Sequence, residues 1–118
     1  MSGGRKVEFH PSAVEEAKAA YGYYSARSER AGNAFLSELD RAIVGISESP
    51  HRWRTHLHGT PRYIMRRFPF LVIYQESGAT LAVVAVAHAR RRPAYWRDRV
   101  RYTAQPAAAA DAPQTARG

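Results

Sequence analysis

The sequence contains no cysteine, and of its eighteen basic residues only two are lysine. Without cysteine, a disulfide framework and a thiolate zinc site are both excluded, so packing alone must hold the fold together. The lack of cysteine also favours an intracellular compartment. The sixteen arginines suit planar, bidentate contacts with phosphate or carboxylate groups better than lysines would. The composition therefore indicates arginine-mediated recognition of an acidic partner.

Long hydrophobic runs are also missing. The longest, Leu81 to Ala87, has seven residues, whereas a membrane helix needs about 20. The N-terminal sequence MSGGRKVEF has no apolar signal-peptide core. We expect a soluble, cytoplasmic protein with no membrane contact. Its 118 residues suit one domain, which we place at residues 1–103, followed by an Ala- and Pro-rich tail at 104–118 that we expect to be disordered.

Charge is divided unevenly along the chain. Residues 1–48 carry six basic and seven acidic side chains, a balance of −1, and residues 49–118 carry twelve basic and three acidic ones, a balance of +9. These sum to the net charge of +8. The second half is therefore a positive field that attracts nucleic acid or an acidic protein.

Two amphipathic helices are predicted in the first half. Apolar side chains recur at three- and four-residue steps from Ser12 to about Ser28, after Pro11, and Glu15 and Glu16 lie near the helix start, where the helix dipole favours negative charge. A second apolar stripe runs from Phe35 to Ile46, with Glu38, Asp40 and Arg41 expected to lie off it. This second helix is expected to end at Ser49-Pro50, because the residue before a proline disfavours the helical conformation. The short connection predicts a helical hairpin.

Four strands are predicted around these helices. Val7-Glu8-Phe9 is expected to join a later sheet, and Arg62 to Arg67 alternates in the manner of a strand. Two β-branched runs then flank a turn in which Gly78 supplies positive φ. Pro93 is expected to begin a short C-terminal helix. The order is thus β-α-α-β-β-β, an α+β fold with a helical hairpin packed on a small, mainly antiparallel sheet.

The candidate functional residues lie around the end of the last strand. Arginines and aromatic residues follow that strand closely, and further arginines lie on the neighbouring strand. We predict that they bind a protein partner or a target: Arg62, Arg66, Arg67, Arg90, Arg91, Arg92, Tyr95, Trp96, Arg97 and Arg99. Tyr95 and Trp96 have an alternative role in packing the terminal helix onto the sheet.

Several short motifs occur in an order that resembles one known family. They are Phe9-His10-Pro11, the pair Tyr23-Tyr24, Ser49-Pro50 followed by Trp53, Arg62 with Phe68-Pro69-Phe70 and Ile73-Tyr74, and Val86-Ala87-His88 with Arg91 and Pro93-Ala94-Tyr95-Trp96. In this order they resemble the RelE/ParE superfamily of toxins from type II toxin–antitoxin modules, including the plasmid-stabilisation proteins. The resemblance spans roughly residues 7–101.

The resemblance implies a growth inhibitor that is neutralised by a cognate antitoxin, within a toxin–antitoxin hetero-oligomer. An acidic antitoxin matches the basic second half of the chain. The resemblance leaves two targets open. ParE-like members inhibit DNA gyrase without being enzymes, and we favour this reading, because the lysine-rich surface of RelE-like nucleases is absent. RelE-like members are mRNA endoribonucleases that act in the ribosome.

For a nuclease, the sequence offers one set of candidates. Cleavage by 2′-hydroxyl attack needs an acid, a base and cations around the phosphate. His88 is a candidate acid or base, Arg62 and Arg67 are candidate phosphate ligands, and Tyr95 is a candidate for base stacking or proton relay. For His88 the alternative is a structural role at the strand end, and for the arginines it is contact with antitoxin carboxylates.

Other chemistry has little support in the sequence. His51, His56 and His58 share one segment that lacks a carboxylate or a thiol, so we predict no metal site and no cofactor. The chain has no phosphate-binding glycine loop and no nucleophile elbow. Its predicted helices do not carry the arginines of a DNA-recognition helix.

Overall fold

The structure of the protein, a computed structural model, describes residues 6–53 and 60–100. The predicted domain end at 103 and the tail at 104–118 lie outside the described residues, as do His56 and His58. The elements are β1 (Lys6–Phe9), α1 (Pro11–Arg27), α2 (Glu29–Glu48), β2 (Arg62–Ile64), β3 (Phe70–Ser77) and β4 (Thr80–His88), followed by a helical turn at residues 97–100. The predicted β-α-α-β-β-β order is confirmed.

One residue connects the two helices. Proline at the first position of α1 needs no hydrogen-bond partner for its nitrogen, and the Nδ1 atom of His10 accepts the Ser12 backbone N–H at 3.0 Å. At the other end, the Ser28 N–H donates to the Tyr24 carbonyl, and the Ser28 Oγ accepts the N–H of Ala31, the third residue of α2. Ser28 thus ends α1 and caps α2.

The helices approach closely at Gly32. A Cβ atom at this position would lie 2.7 Å from the Ser25 Cβ and 3.0 Å from its Cα. No side chain fits there without movement, so the absence of a Cβ sets the packing distance of the hairpin. Gly22, on the exposed side of α1, has open space around it.

The strands form one mixed sheet in the order β1-β4-β3-β2. β1 lies parallel to β4, and the other pairs are antiparallel. Gly78, with φ of 63°, turns the β3–β4 hairpin as predicted. β2 is shorter than predicted and ends at Ile64, because the chain turns back at Met65, whose N–H donates to the Phe70 carbonyl.

The C-terminal helical turn also begins later than predicted. Pro93 lies in a turn, and the helical conformation starts at residue 97. The cause is Ala94, which adopts a φ of 61°, a left-handed conformation that a helix cannot include. Within the described part of the chain, no helix combines the length and the hydropathy that a membrane span requires.

The sheet is packed on both of its faces. The helices cover one face through a core that includes Phe35, Ile46 and Tyr74. A smaller core on Ile73 and Ala85 is closed by Trp96, which is only 3% exposed. This double coverage explains why the central strand β4 is a continuous buried run and does not alternate.

Candidate functional site

The site is built on the part of β4 that continues past its pairing with β1. β1 ends at Phe9, opposite Val83, so the remaining groups of β4 on this side need other partners. The His10 N–H donates to the Val83 carbonyl at 2.9 Å. Beyond it, the Glu16 carboxylate accepts the Val86 N–H at 3.0 Å. The side chains of Glu16 and Arg99 thus form hydrogen bonds with the β4 backbone that a neighbouring strand would otherwise form.

Glu16 binds the segment that follows β4. Its Oε2 accepts the Tyr95 hydroxyl and one Arg99 nitrogen, both at 2.8 Å, and its Oε1 accepts a second Arg99 nitrogen at 3.0 Å. The two charged side chains are only 16% and 18% exposed. Arg99 also donates to the Val84 carbonyl at 3.3 Å, at a bulge in β4. This bidentate pair docks the C-terminal segment on the sheet.

The contacts with Glu16 change the pKa values of Tyr95 and Arg99. Burial raises the pKa of Tyr95 well above its ordinary value of 10.0, and the hydrogen bond to Glu16 raises it further. Burial alone would lower the pKa of Arg99, but the hydrogen bond and charge of Glu16 outweigh it and the pKa rises. Tyr95 is therefore a neutral hydroxyl group whose proton points to Glu16.

A small cleft of about 120 Å³ lies beside this network. It brings together residues that sequence reasoning selected separately: Arg62, His88, Arg91, Arg92, Tyr95 and Trp96. The Arg91 guanidinium lies 3.7 Å from the centre of the Tyr95 ring, a cation–π contact. Trp96 is buried in the smaller core and also lines the cleft.

His88 closes the strand. Its Nδ1 accepts the Arg90 backbone N–H at 3.0 Å, and its ring packs edge-on against Phe70 at 5.1 Å. Because Nδ1 accepts a hydrogen bond, the proton of the neutral imidazole lies on Nε2. This contact is the kind that the strand-end alternative describes, and Nε2 is the remaining polar atom of the ring.

The other selected arginines fall into two groups. Arg90, Arg92 and Arg97 are exposed on the segment that Glu16 docks, and they form its basic outer surface. Arg66 and Arg67 lie apart, beside Glu38. Arg99 is held internally by Glu16, in contrast to these exposed side chains.

Sequence reasoning missed the contacts of two carboxylates, those of Glu38 and Glu16. Glu38 was expected to lie off the apolar stripe of α2, and this was wrong: it is 4% exposed. It accepts the backbone N–H groups of Arg66 and Arg67 and pairs with the Arg67 Nε at 3.4 Å. Its position three residues after Phe35, directly before Leu39, was an available signal of burial. Glu16 gave a weaker signal, since its partners are remote in sequence.

A second surface is apolar. Phe9, Val14, Ala17, Tyr21, Leu36 and Leu39 line an open groove of about 310 Å³ between β1 and the helical hairpin. Phe9, Tyr21 and Leu36 are each more than one third exposed. Among residues 6–53 and 60–100, no group of three or more potential metal ligands occurs.

The comparisons with known proteins agree with this architecture. A profile described as the ParE toxin of the type II toxin–antitoxin system parDE matches residues 7–93. The chain belongs to the ParE toxin family. Membership, predicted above from motif order, is thus confirmed. The match ends at Pro93 and so includes the sheet, the helical hairpin and His88, but not the docked Tyr95 and Arg99.

A solved structure shares the ParE-type fold. It is described as the chromosomal ParDE toxin–antitoxin system from P. aeruginosa, and the similarity has a TM-score of 0.65 at 15% sequence identity. It covers 75% of this chain and 100% of the other. No match was found among curated proteins.

Proposed function

We propose that this ParE-family chain is a growth-inhibiting toxin that acts in the cytoplasm by binding DNA gyrase, with no catalytic residue, and that an acidic antitoxin neutralises it. The observation that carries the proposal is the state of the two candidate catalytic side chains. The Tyr95 hydroxyl donates to Glu16, and the Nδ1 of His88 accepts the backbone of Arg90. The Tyr95 hydroxyl and one of the two ring nitrogens of His88 are thus engaged in contacts within the fold.

Two surfaces support binding to an acidic, partly apolar partner. The basic surface of Arg90, Arg92 and Arg97 provides long-range attraction and contacts for carboxylates. The apolar groove beside the helical hairpin provides area that a partner can bury. An antitoxin segment that folds on the toxin would use both, since such segments combine charge steering with apolar anchors.

RelE-like mRNA cleavage is the second candidate. It is favoured by the cleft, in which Arg62, His88 and Tyr95 come together. In this mechanism the free Nε2 of His88 would exchange the proton, while Arg62 and Arg91 would stabilise the charged phosphate. The two candidates differ in whether His88 must titrate, and this difference decides between them.

The test uses two substitutions of His88. His88→Ala removes both the ring and the acceptor for the Arg90 N–H, whereas His88→Asn retains an acceptor but has no acid–base capacity. Each variant and the parent protein are induced alone in a bacterial host, and DNA and protein synthesis are followed separately by pulse labelling. We expect early arrest of DNA synthesis with the parent and with His88→Asn.

Purified components give the second readout. The parent and His88→Asn should inhibit supercoiling by DNA gyrase to the same extent, and replacement of Arg90, Arg91 and Arg92 by glutamine should reduce inhibition at least tenfold. Early arrest of translation that is abolished in both His88 variants would contradict the proposal and support cleavage. Loss of arrest with His88→Ala alone would identify the capping contact as the feature that matters.

A further inference from the structure

A second arginine-lined cleft lies away from the docked segment. Its volume is about 350 Å³, and it lies where α2, the segment after α2 and β2 meet. Three arginines and three apolar or aromatic side chains line it: Arg41, Arg52, Arg66, Trp53, Tyr63 and Ile64. None of the functions proposed so far uses this cleft.

The charge of the cleft is not neutralised within the described chain. Among residues 6–53 and 60–100, none of the three arginines forms an ion pair with a carboxylate. Glu38 also lines the cleft, but two backbone N–H groups and the Arg67 guanidinium already compensate its charge. The three guanidinium groups thus create a positive field in a partly enclosed space.

The aromatic residues of the cleft also favour a ligand that accepts hydrogen bonds. Trp53 and Tyr63 pack edge-on with their ring centres 4.6 Å apart. The indole N–H of Trp53 is buried, and no described residue accepts it. A buried donor left without an acceptor costs about 1–3 kcal/mol. One oxygen of Glu38 is likewise buried without a hydrogen bond, but it lies 3.4 Å from the Arg67 Nε, so the indole N–H is the donor of this cleft that an added acceptor would satisfy.

The geometry distinguishes between acidic ligands. The Arg52 guanidinium lies 5.2 Å from the centre of the Trp53 ring and covers one of its faces, where a nucleic-acid base would otherwise stack. A carboxylate matches the fork of donors that arginine presents. Ile64, which is 58% exposed, provides an apolar surface for the methylene groups of an acidic side chain.

We infer that this cleft is a carboxylate site, which takes an aspartate or glutamate side chain of the antitoxin. Only the identity of the partner rests on the proposed function; the chemistry of the site does not. The cleft lies apart from the basic surface of Arg90, Arg92 and Arg97, so an antitoxin that uses both must place acidic residues at two separated positions. The spacing of those residues then determines which antitoxin fits.

The two tryptophans of the chain provide a direct test. In ¹⁵N-labelled protein their indole N–H groups give separate resonances, and Trp96, which lines the cleft beside Tyr95, reports separately on binding at that cleft. The probe is N-acetyl-glutamate N-methylamide, and the matched neutral probe is its glutamine equivalent. We expect the Trp53 resonance to shift saturably with the glutamate probe, with millimolar affinity and with a binding curve of its own, whatever the Trp96 resonance shows.

Arginine variants supply the second control. Arg41→Gln and Arg66→Gln should each weaken binding of the glutamate probe at least threefold. Arg30→Gln removes the same charge from an exposed position of α2 three turns away and should leave binding unchanged. Equal weakening by all three variants would mean that net charge alone attracts the probe, and this would overturn the inference.

The remaining outcomes also decide the question. An absent Trp53 shift, or an equal shift with the glutamine probe, would overturn the carboxylate site. Inorganic phosphate or a trinucleotide that shifts Trp53 at lower concentration than the glutamate probe would assign the cleft to nucleic acid instead. Because the titration contains no gyrase and no antitoxin, its outcome is independent of the pulse-labelling result, and the failure of either proposal leaves the other standing.

Discussion

At the scale of single residues, one side chain often serves two parts of the structure. His10 accepts the Ser12 N–H at the start of α1, and its own N–H continues the pairing of β4 through Val83. This acceptor role requires an unprotonated Nδ1. Burial lowers the pKa of His10 from 6.5, the nearby Arg99 acts in the same direction, and Glu16 opposes both.

The pH dependence of stability follows from this lowered pKa. Because the folded protein resists protonation of His10, the contribution to stability is complete above pH 6.5 and is lost as the pH falls below that value, where the unfolded chain takes up the proton first. Urea unfolding at pH 7.5 and 5.5 measures this loss.

His10→Asn is the control for this prediction. Asparagine is a good helix N-cap and does not titrate, so the variant should retain α1 while its stability changes less between the two pH values. Equal pH dependence in the parent protein and in the variant would contradict the assignment.

At the scale of elements, the helical hairpin is fixed by a shared cap and a close contact. Ser28 ends one helix and begins the next, and Gly32 lets α2 approach Ser25 of α1. Such a short connection leaves little freedom in the angle between the helices. The groove beside the hairpin, which we propose for partner binding, depends on the same geometry.

Two glycine substitutions should therefore have opposite effects. In Gly32→Ala, the clash with the Ser25 Cβ outweighs the gain in helix propensity, and we expect a loss of about 1–2 kcal/mol. Gly22→Ala meets nothing within 4 Å and should stabilise the protein by about 0.5–1 kcal/mol. Chemical denaturation measures both. Stabilisation by Gly32→Ala would show that the helices can separate without cost.

At the scale of the whole molecule, Glu16 connects three parts. It extends from α1, accepts a backbone N–H of β4, and binds Tyr95 and Arg99 of the C-terminal segment. The basic surface of Arg90, Arg92 and Arg97 lies between these attachments and is positioned by them. A single carboxylate therefore links the fold to the surface that we propose for partner binding.

Replacement of this carboxylate should be costly. Glu16→Gln can still accept hydrogen bonds, but it leaves the mostly buried Arg99 without a counter-charge, and we expect a loss of about 2 kcal/mol. The control is Glu15→Gln, whose ion pair with Lys18 is 3.8 Å long and largely exposed, and which should cost under about 0.5 kcal/mol. Equal unfolding free energies for the two variants would contradict the role of Glu16.

Local patterns made much of the fold predictable from the sequence. The helical hairpin follows from apolar spacing of three and four, the end of α2 from Ser49-Pro50, and the β3–β4 turn from Gly78. Such features depend on neighbours within a few residues. The end of β2 and the left-handed Ala94 were missed, because nothing in their immediate sequence requires a turn at Met65 or a positive φ at an alanine.

The candidate site was only partly predictable. Its arginines stand out as a cluster, and the end of β4 brings several of them together as expected. Glu16 and Arg99 are 83 residues apart, and no periodicity links them. Glu38 was misplaced because a carboxylate on a helix is solvated in most proteins, whereas here a bend in the chain presents two N–H groups to it.

The parallel pairing of β1 with β4 has a consequence for synthesis of the protein. The two hairpins, of α1 with α2 and of β3 with β4, form from neighbouring residues, but β1 has no partner until Thr80 to Val83 have been translated. The fold therefore closes late on the ribosome, when the first strand and the last come together. A nascent chain truncated before β4 lacks both the central strand and the arginines beyond it, so it offers neither a stable fold nor the basic surface.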